Sequence, residues 1–309
     1  MAETTVQDTF PEIFTLADRK ALDEQHRYFR LTLTGLLAAV VAAVGSAISA
    51  DVTINGFRYN IGGALAAVAF LVGIGVAGYL LITRPERVWY ESRAAAESIK
   101  TLAWQYCVRG GIFNNADDLD ARQFGRLVRR IVRGLRYAGL TTVGGNEAVT
   151  AGMREIRSLP IGERREIYRA QRIVDQSAYY ATKARKNRNW ARQWAFGAMA
   201  LQAAGVVLAF LKAFNVLDAD LLGVAATAAA GILAWVQTKD CQNLADSYVI
   251  AANELAAILG EAETHPEVLS PSEWSTFVRG GEQAISREHT LWLARRDPHL
   301  TPDDERATA

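Results

Sequence analysis

Residues 61–83 read IGGALAAVAFLVGIGVAGYLLIT, 23 residues without one charged side chain. An α-helix of about 20 residues rises roughly 30 Å, the thickness of a bilayer's hydrocarbon core. Three further uncharged blocks share this character: Leu31–Ala50, Gln193–Leu211 and Leu221–Thr238. Four blocks of 18 to 23 apolar residues are more than a soluble chain of 309 residues buries in its interior. The chain therefore reads as an all-α integral membrane protein with four transmembrane helices arranged as two hairpins, plus long helices outside the bilayer. A mean hydropathy of +0.03 conceals this, because charged stretches offset the apolar blocks.

Charge sets the expected topology. The turn Asp51–Asn60 holds one Arg and one Asp, and Lys212–Asp220 holds one Lys and two Asp. The opposite ends of the spans are basic: Arg19, Lys20, Arg27 and Arg30 precede the first, and Arg84, Arg87 and Arg93 follow the second. Lys183, Arg185, Lys186, Arg188 and Arg192 precede the third. The positive-inside rule places both termini and the long middle segment in the cytoplasm. The segment before Leu31 carries six acids, so the first span reads as an anchor and not as a cleaved leader. From Arg84 to Arg192 there are 22 basic and 11 acidic residues, whereas Thr238–Ala309 holds 6 basic and 13 acidic. A basic middle and an acidic tail on one side of the membrane would attract each other.

The halves look like copies. A shift of 157 positions carries the first span pair onto residues 188–207 and 218–240, and lays Ala94-Ala95-Ala96-Glu97 over Ala251-Ala252-Asn253-Glu254. The organisation expected is a two-span unit over 1–139, a linker over 140–162, a second two-span unit over 163–297 and a disordered tail over 298–309. Pro85 should interrupt the second span. Beyond it, Val88, Ser92, Ala95, Ile99, Leu102 and Tyr106 recur at helical spacing as a packing seam, ended by Gly110-Gly111. A second helix is expected from Leu119 to Ala138, and another from about Glu163 into the third span. Gly144-Gly145 and Pro160 mark the linker. Ser270-Pro271-Ser272-Glu273 reads as a capping box opening a last helix, with Trp274, Phe277, Val278, Ile285 and Trp292 on one side and Gly280-Gly281 as a weak point.

Catalytic patterns are missing from the sequence. Gly73-Ile74-Gly75-Val76-Ala77-Gly78 matches the dinucleotide fingerprint, but it lies inside a span with no preceding strand, so close packing is the reading. His26, His265, His289 and His299 fall in no metal-ligand spacing, and Glu288-His289 are adjacent on a helix, pointing about 100° apart. Cys107 and Cys241 read as small packing residues. No enzyme, no cofactor and no nucleic-acid binding are expected. Within the spans no acid, base or His occurs. Gln202 is the strongest polar group, joined by Thr34, Ser46, Ser49 and Thr227. These either make hydrogen bonds between helices or line a pore assembled from several chains. Small residues at Gly35, Ala39, Ala43 and Ala47, and at Gly223, Thr227 and Gly231, favour close helix contacts within the chain or between subunits.

Arg122, Arg126, Arg129, Arg133 and Arg136 recur at steps of three and four, with Arg130 beside them, while Leu127, Val128, Ile131 and Leu135 cover the other face. Three readings stand: a solvated face docked on the acidic tail, contact with anionic headgroups, or binding of a phosphate-rich ligand.

The stretch Arg93-Ala94-Ala95-Ala96-Glu97-Ser98-Ile99-Lys100-Thr101-Leu102-Ala103-Trp104-Gln105-Tyr106, followed by Gly110-Gly111-Ile112-Phe113, resembles the helix after the membrane pair in SLATT domains. Leu244-Ala245-Asp246-Ser247-Tyr248, Asn253-Glu254-Leu255 and Glu282-Gln283-Ala284-Ile285-Ser286-Arg287-Glu288-His289-Thr290-Leu291-Trp292 are similar to another SLATT branch. The two likenesses cover most of residues 10–113 and 165–296. They imply a membrane effector of a bacterial antiphage conflict system, a homo-oligomer of the inner membrane that opens or disrupts the bilayer when a nucleotide second messenger or soluble activator protein switches it on. The chain departs from the simplest pattern by holding two units, and it lacks a recognisable nucleotide-sensor domain. The alternative is a non-conducting scaffold that recruits a soluble partner through its cytoplasmic helices.

Overall fold

The structure is a computed structural model, which describes residues 5–48, 50–55, 57–140, 148–216, 221–264 and 270–296. Ser49, Gly144-Gly145 and the tail 298–309 lie outside the described residues. The elements run α1 (Glu12–Ala47), β1 (Asp51–Ile54), β2 (Phe57–Asn60), α2 (Ile61–Thr83), α3 (Pro85–Cys107), α4 (Asp117–Gly134), α5 (Ala151–Ser158), α6 (Ile161–Tyr168), α7 (Asp175–Ala213), α8 (Leu221–Lys239), α9 (Cys241–Thr264) and α10 (Pro271–Arg296). A 3-10 turn at Val6–Thr9 precedes α1, and a π-helical turn at Arg169–Val174 joins α6 to α7. Four candidate membrane spans, by length and composition, lie in α1, α2, α7 and α8, at the four uncharged blocks. The chain divides into a head, Met1–Glu24, Glu86–Arg185 and Leu244–Ala309, and a span unit, Gln25–Pro85 and Lys186–Asn243.

In the span unit, α1 meets α2 through small residues. A Cβ added at Gly45 would lie 2.8 Å from the Gly62 carbonyl oxygen, and one at Gly62 would collide with the carbonyls of Gly45 and Ile48. Ala42, Ala66 and Ala69 complete this contact. The face used thus runs through Gly35, where an added Cβ would lie 3.5 Å from Val76, and on through Ala42 and Gly45, while Ala39 is exposed. Gly73, Gly75 and Gly78 meet nothing within 4 Å, so the close packing read from them is not made among the described residues. Phe29 of α1 meets Trp235 of α8 edge-on at 6.0 Å, and the Lys239 ammonium lies 3.4 Å from the Phe29 ring centre.

The turn between α1 and α2 adds something to an all-α reading: a two-stranded antiparallel hairpin pairing Asp51 with Asn60 through Ile54 with Phe57. Asn55 at φ 54 begins its two-residue turn, and Asn-Gly is the pair that such turns prefer. Arg58 Nη2 donates to Asp51 Oδ2 at 2.8 Å, and Asn60 Oδ1 accepts from the Gly63 amide at 2.6 Å, capping α2. Pro85 ends the span as expected. Arg84 takes a left-handed backbone (φ 45, ψ 52) and Pro85 opens α3, where a missing N–H costs nothing.

The head is built around α3. Ser92, Ala95, Ile99 and Tyr106 of the expected seam are buried, together with Trp104 and Cys107. Rings run from the N-terminal segment to the last helix: Phe10 to Trp104 at 5.9 Å, Trp104 to Tyr168 at 5.9 Å and Tyr168 to Trp274 at 5.8 Å. The Gly110-Gly111 turn docks on α10. Ser275 Oγ donates to the Gly111 carbonyl at 2.6 Å, and a Cβ at Gly110 would stand 2.6 Å from Val278. The capping box is present, with the Ser270 amide donating to Glu273 Oε2 at 2.7 Å and the Glu273 amide to Ser270 Oγ at 3.3 Å. Gly281 is a contact and not a weak point, since α10 runs through it and an added Cβ would lie 2.8 Å from the Tyr168 hydroxyl.

Candidate functional site

Four arginines line an open groove of about 480 Å³ on the head: Arg122, Arg126 and Arg129 from α4, and Arg154 from α5, over Ala121, Gly125, Ala148 and Val149. Position follows from the amphipathic spacing of α4. Phe124 and Val128 are buried against the head core, which turns the i, i+4 and i+7 arginines outward. Arg122, Arg126, Arg129, Arg130 and Arg133 are all exposed.

The arginine series is shorter than its spacing suggested. Helix α4 spans Asp117–Gly134 and not Leu119–Ala138, and Leu135 is already extended at ψ 124. The cause is Glu91 of α3, a buried carboxylate that accepts from the amides of Arg136 (3.2 Å), Tyr137 (2.6 Å) and Ala138 (2.9 Å). Three backbone donors held by one anion fix a turn there. Arg136 therefore leaves the helical stripe, although its side chain stays exposed.

The opposite wall depends on a residue the spacing did not single out. Arg157 of α5 is 2 % exposed and donates to Asp120 Oδ2 at 2.6 Å, Asp117 Oδ1 at 2.8 Å and the Tyr106 carbonyl at 2.7 Å. Its guanidinium lies 4.6 Å from the Tyr106 ring centre. Asp120 is fully buried and also accepts from the Asn115 amide at 3.0 Å. Hydrogen bonding from Arg157 holds the Asp117 carboxyl below its ordinary range, against partial desolvation and with help from the Arg109 charge. One helical turn before Arg157 on α5 stands Arg154. The segment read as a linker thus carries a helix whose buried arginine clamps the N-terminus of α4. No local sequence signal distinguishes Arg157 from the solvated arginines around it.

A second buried pair lies deeper in the head. Arg172, inside the π-helical turn, donates through Nε to Glu282 Oε1 at 2.9 Å and through Nη2 to Glu282 Oε2 at 2.7 Å. Thr101 and Tyr168 also donate to Glu282, at 2.9 and 3.1 Å. Arg172 and Glu282 are each 1 % exposed, and burial beside that carboxylate raises the Tyr168 hydroxyl well above its usual range. This network joins α3 to α10 through the π turn. Burial likewise pushes the Cys107 thiol far above its usual range, which suits a packing residue and not a nucleophile.

In the span unit the polar residues are dispersed. Gln202 and Thr34 are exposed on α7 and α1, and Gln202 makes no hydrogen bond among the described residues. Thr34 Oγ1 donates to the Arg30 carbonyl at 2.9 Å, Ser46 Oγ to Ala43 at 2.8 Å and Thr227 Oγ1 to Gly223 at 2.8 Å. Three of these groups are therefore satisfied by their own helix. Among the described residues no group of three or more His, Cys, Asp and Glu side chains could hold a metal ion.

Residues 11–165 match the family model described as SMODS and SLOG-associating 2TM effector domain 3. Residues 168–292 match the model for SMODS and SLOG-associating 2TM effector domain 1. No curated protein and no solved structure matches the chain.

Proposed function

Because the chain belongs to the SMODS and SLOG-associating two-transmembrane effector family and carries two of its domains in tandem, we propose that it is a pore-forming or membrane-perturbing effector of a bacterial antiphage conflict system. It acts without enzymatic chemistry, as a homo-oligomer in the inner membrane with both termini in the cytoplasm, and a nucleotide signal or soluble activator protein turns it on. The observation that carries this reading is the outer surface of the spans. Leu71, Ile74, Leu81 and Phe210 are 61–74 % exposed, and Gly73, Gly75, Gly78, Gly197 and Gly231 have open space where a Cβ would sit. Such a surface suits lipid or a neighbouring copy. Four spans enclose too little room for a pore alone, so conduction requires several chains. Gln202, exposed and without a hydrogen bond among the described residues, is the group best suited to face other copies across such a pore.

The test is dye and ion leakage from vesicles holding the purified protein, with its oligomeric mass measured in parallel. Leakage that rises with a ring-sized mass is the expected result, and Gln202→Leu lowers it severalfold while leaving the mass unchanged. The leakage and mass are read with and without a panel of cyclic nucleotides, and vesicles that stay tight at every protein density and with every nucleotide, together with a monomeric mass, would replace this reading with that of a non-conducting scaffold. The exposed arginine face of α4 would then be its recruiting surface.

A further inference from the structure

We propose that the groove formed by Arg122, Arg126, Arg129 and Arg154 is a binding site for an anion carrying more than one phosphate charge. The inference rests on the effector reading only in making that anion a trigger; binding itself stands or falls separately.

Four observations converge on it. Arg122, Arg126 and Arg129 follow one another at steps of four and three, so their Cβ atoms lie about 5–6 Å apart along one helix face. The groove has the volume of a small-ligand site, and no acid stands among its lining residues that the structure describes. Two of the three acids in the first turn of α4 are directed elsewhere, Asp117 to Arg109 and Arg157 and Asp120 to Arg157, and the third, the exposed Asp118, makes no ion pair among the described residues. Arg122, Arg126 and Arg129 make no ion pair among the described residues, so their mutual repulsion works against the helix. The fold gains nothing from that repulsion, whereas a polyanion would turn it into attraction.

The floor is shaped for close approach. Ala121, Gly125 and Ala148 leave it almost free of side chains, and a Cβ at Gly125 would lie 3.3 Å from Ala148 Cβ and 3.4 Å from Arg129 Nη1. Glycine there lets the Arg129 guanidinium lie over the helix backbone. Guanidinium forks bind phosphate oxygens through paired N–H donors, and a polyphosphate presents oxygens to several forks at once where a single carboxylate presents two. A soluble polyphosphate and a lipid phosphate share this chemistry, and the experiment separates them.

The full chain is reconstituted in nanodiscs of phosphatidylcholine, and inorganic triphosphate is titrated at constant ionic strength. Saturable binding is expected, weakened about tenfold or more in Arg126→Gln/Arg129→Gln and within about twofold of the parent in Arg130→Gln/Arg133→Gln, which removes the same charge from the same helix outside the groove. A parallel arm measures how strongly detergent-free head-directed vesicle tethering depends on cardiolipin, whose headgroup carries two phosphates, added to phosphatidylcholine. If triphosphate fails to bind but the groove variant alone abolishes the cardiolipin dependence, the anion is a diphosphate headgroup and the site stands. Equal losses in both variants mean a diffuse charge effect and overturn the site. So does binding in neither arm, with both variants melting like the parent. Vesicle leakage is scored separately, so a protein that binds triphosphate and never leaks loses the pore reading and keeps the site.

Discussion

Two arginines in the head show how differently one residue type can act. Arg157 is buried with Asp120 and exchanges its water for five oxygen acceptors, whereas Arg126 stands in solvent on the next helix. Breaking a buried pair by removing one partner leaves a charge without compensation, at a cost of about 3–5 kcal/mol. Arg157→Ala should therefore lower the head's stability by that amount in denaturant or thermal unfolding, while Arg126→Gln changes it by less than about 0.5 kcal/mol. Acid should report on the same contact. Because the folded Asp117 carboxyl is depressed, its stabilisation is present above the ordinary Asp value and is lost as pH falls through the folded one. Unfolding profiles between about pH 5 and about pH 2 should thus show a steeper loss for the parent than for Asp117→Asn. Equal slopes would remove Asp117 from the acid response.

Among the elements, the spans were legible because a run of about 20 uncharged residues is a compositional signal that no neighbour can overrule. The cap at Ser270, the break at Pro85 and the seam of α3 were legible too, since each depends on residues within a few positions of one another. Which face of α1 meets α2 was not. Gly35 is on the contact, but alanine is so frequent there that the continuation through Ala39 and Ala43 and the one through Ala42 and Gly45 are equally small, and only Gly62 opposite decides. The end of α4 and the helix within residues 148–162 were hidden for a related reason: Glu91 and Arg157 act over 37 or more positions of sequence. The β1–β2 hairpin did carry a signal, Asn55-Gly56 between alternating apolar residues. Gly62→Ala should prevent the α1–α2 contact and sharply reduce the yield of folded protein in detergent. Gly73→Ala, with open space around it, should leave the yield unchanged.

At the scale of the molecule, the two family matches are consecutive in sequence but not separate in the fold. Head contacts such as Trp104 with Tyr168, Thr101 with Glu282 and Gly111 with Ser275 bring the first matched region against the second. Co-expressed fragments 1–144 and 145–309 should therefore co-purify through a tag on either one, and each alone should aggregate. Recovery of either fragment as a soluble, folded species would show that these contacts are dispensable. The interleaving also has an arithmetic consequence. A covalent link holds the two halves at an effective concentration of roughly millimolar or more, so neither half can be exchanged for one from another molecule without breaking its own head. Any ring built from this protein must then contain an even number of hairpins, of two non-identical kinds in equal number. Its rotational symmetry is half what a count of hairpins would suggest.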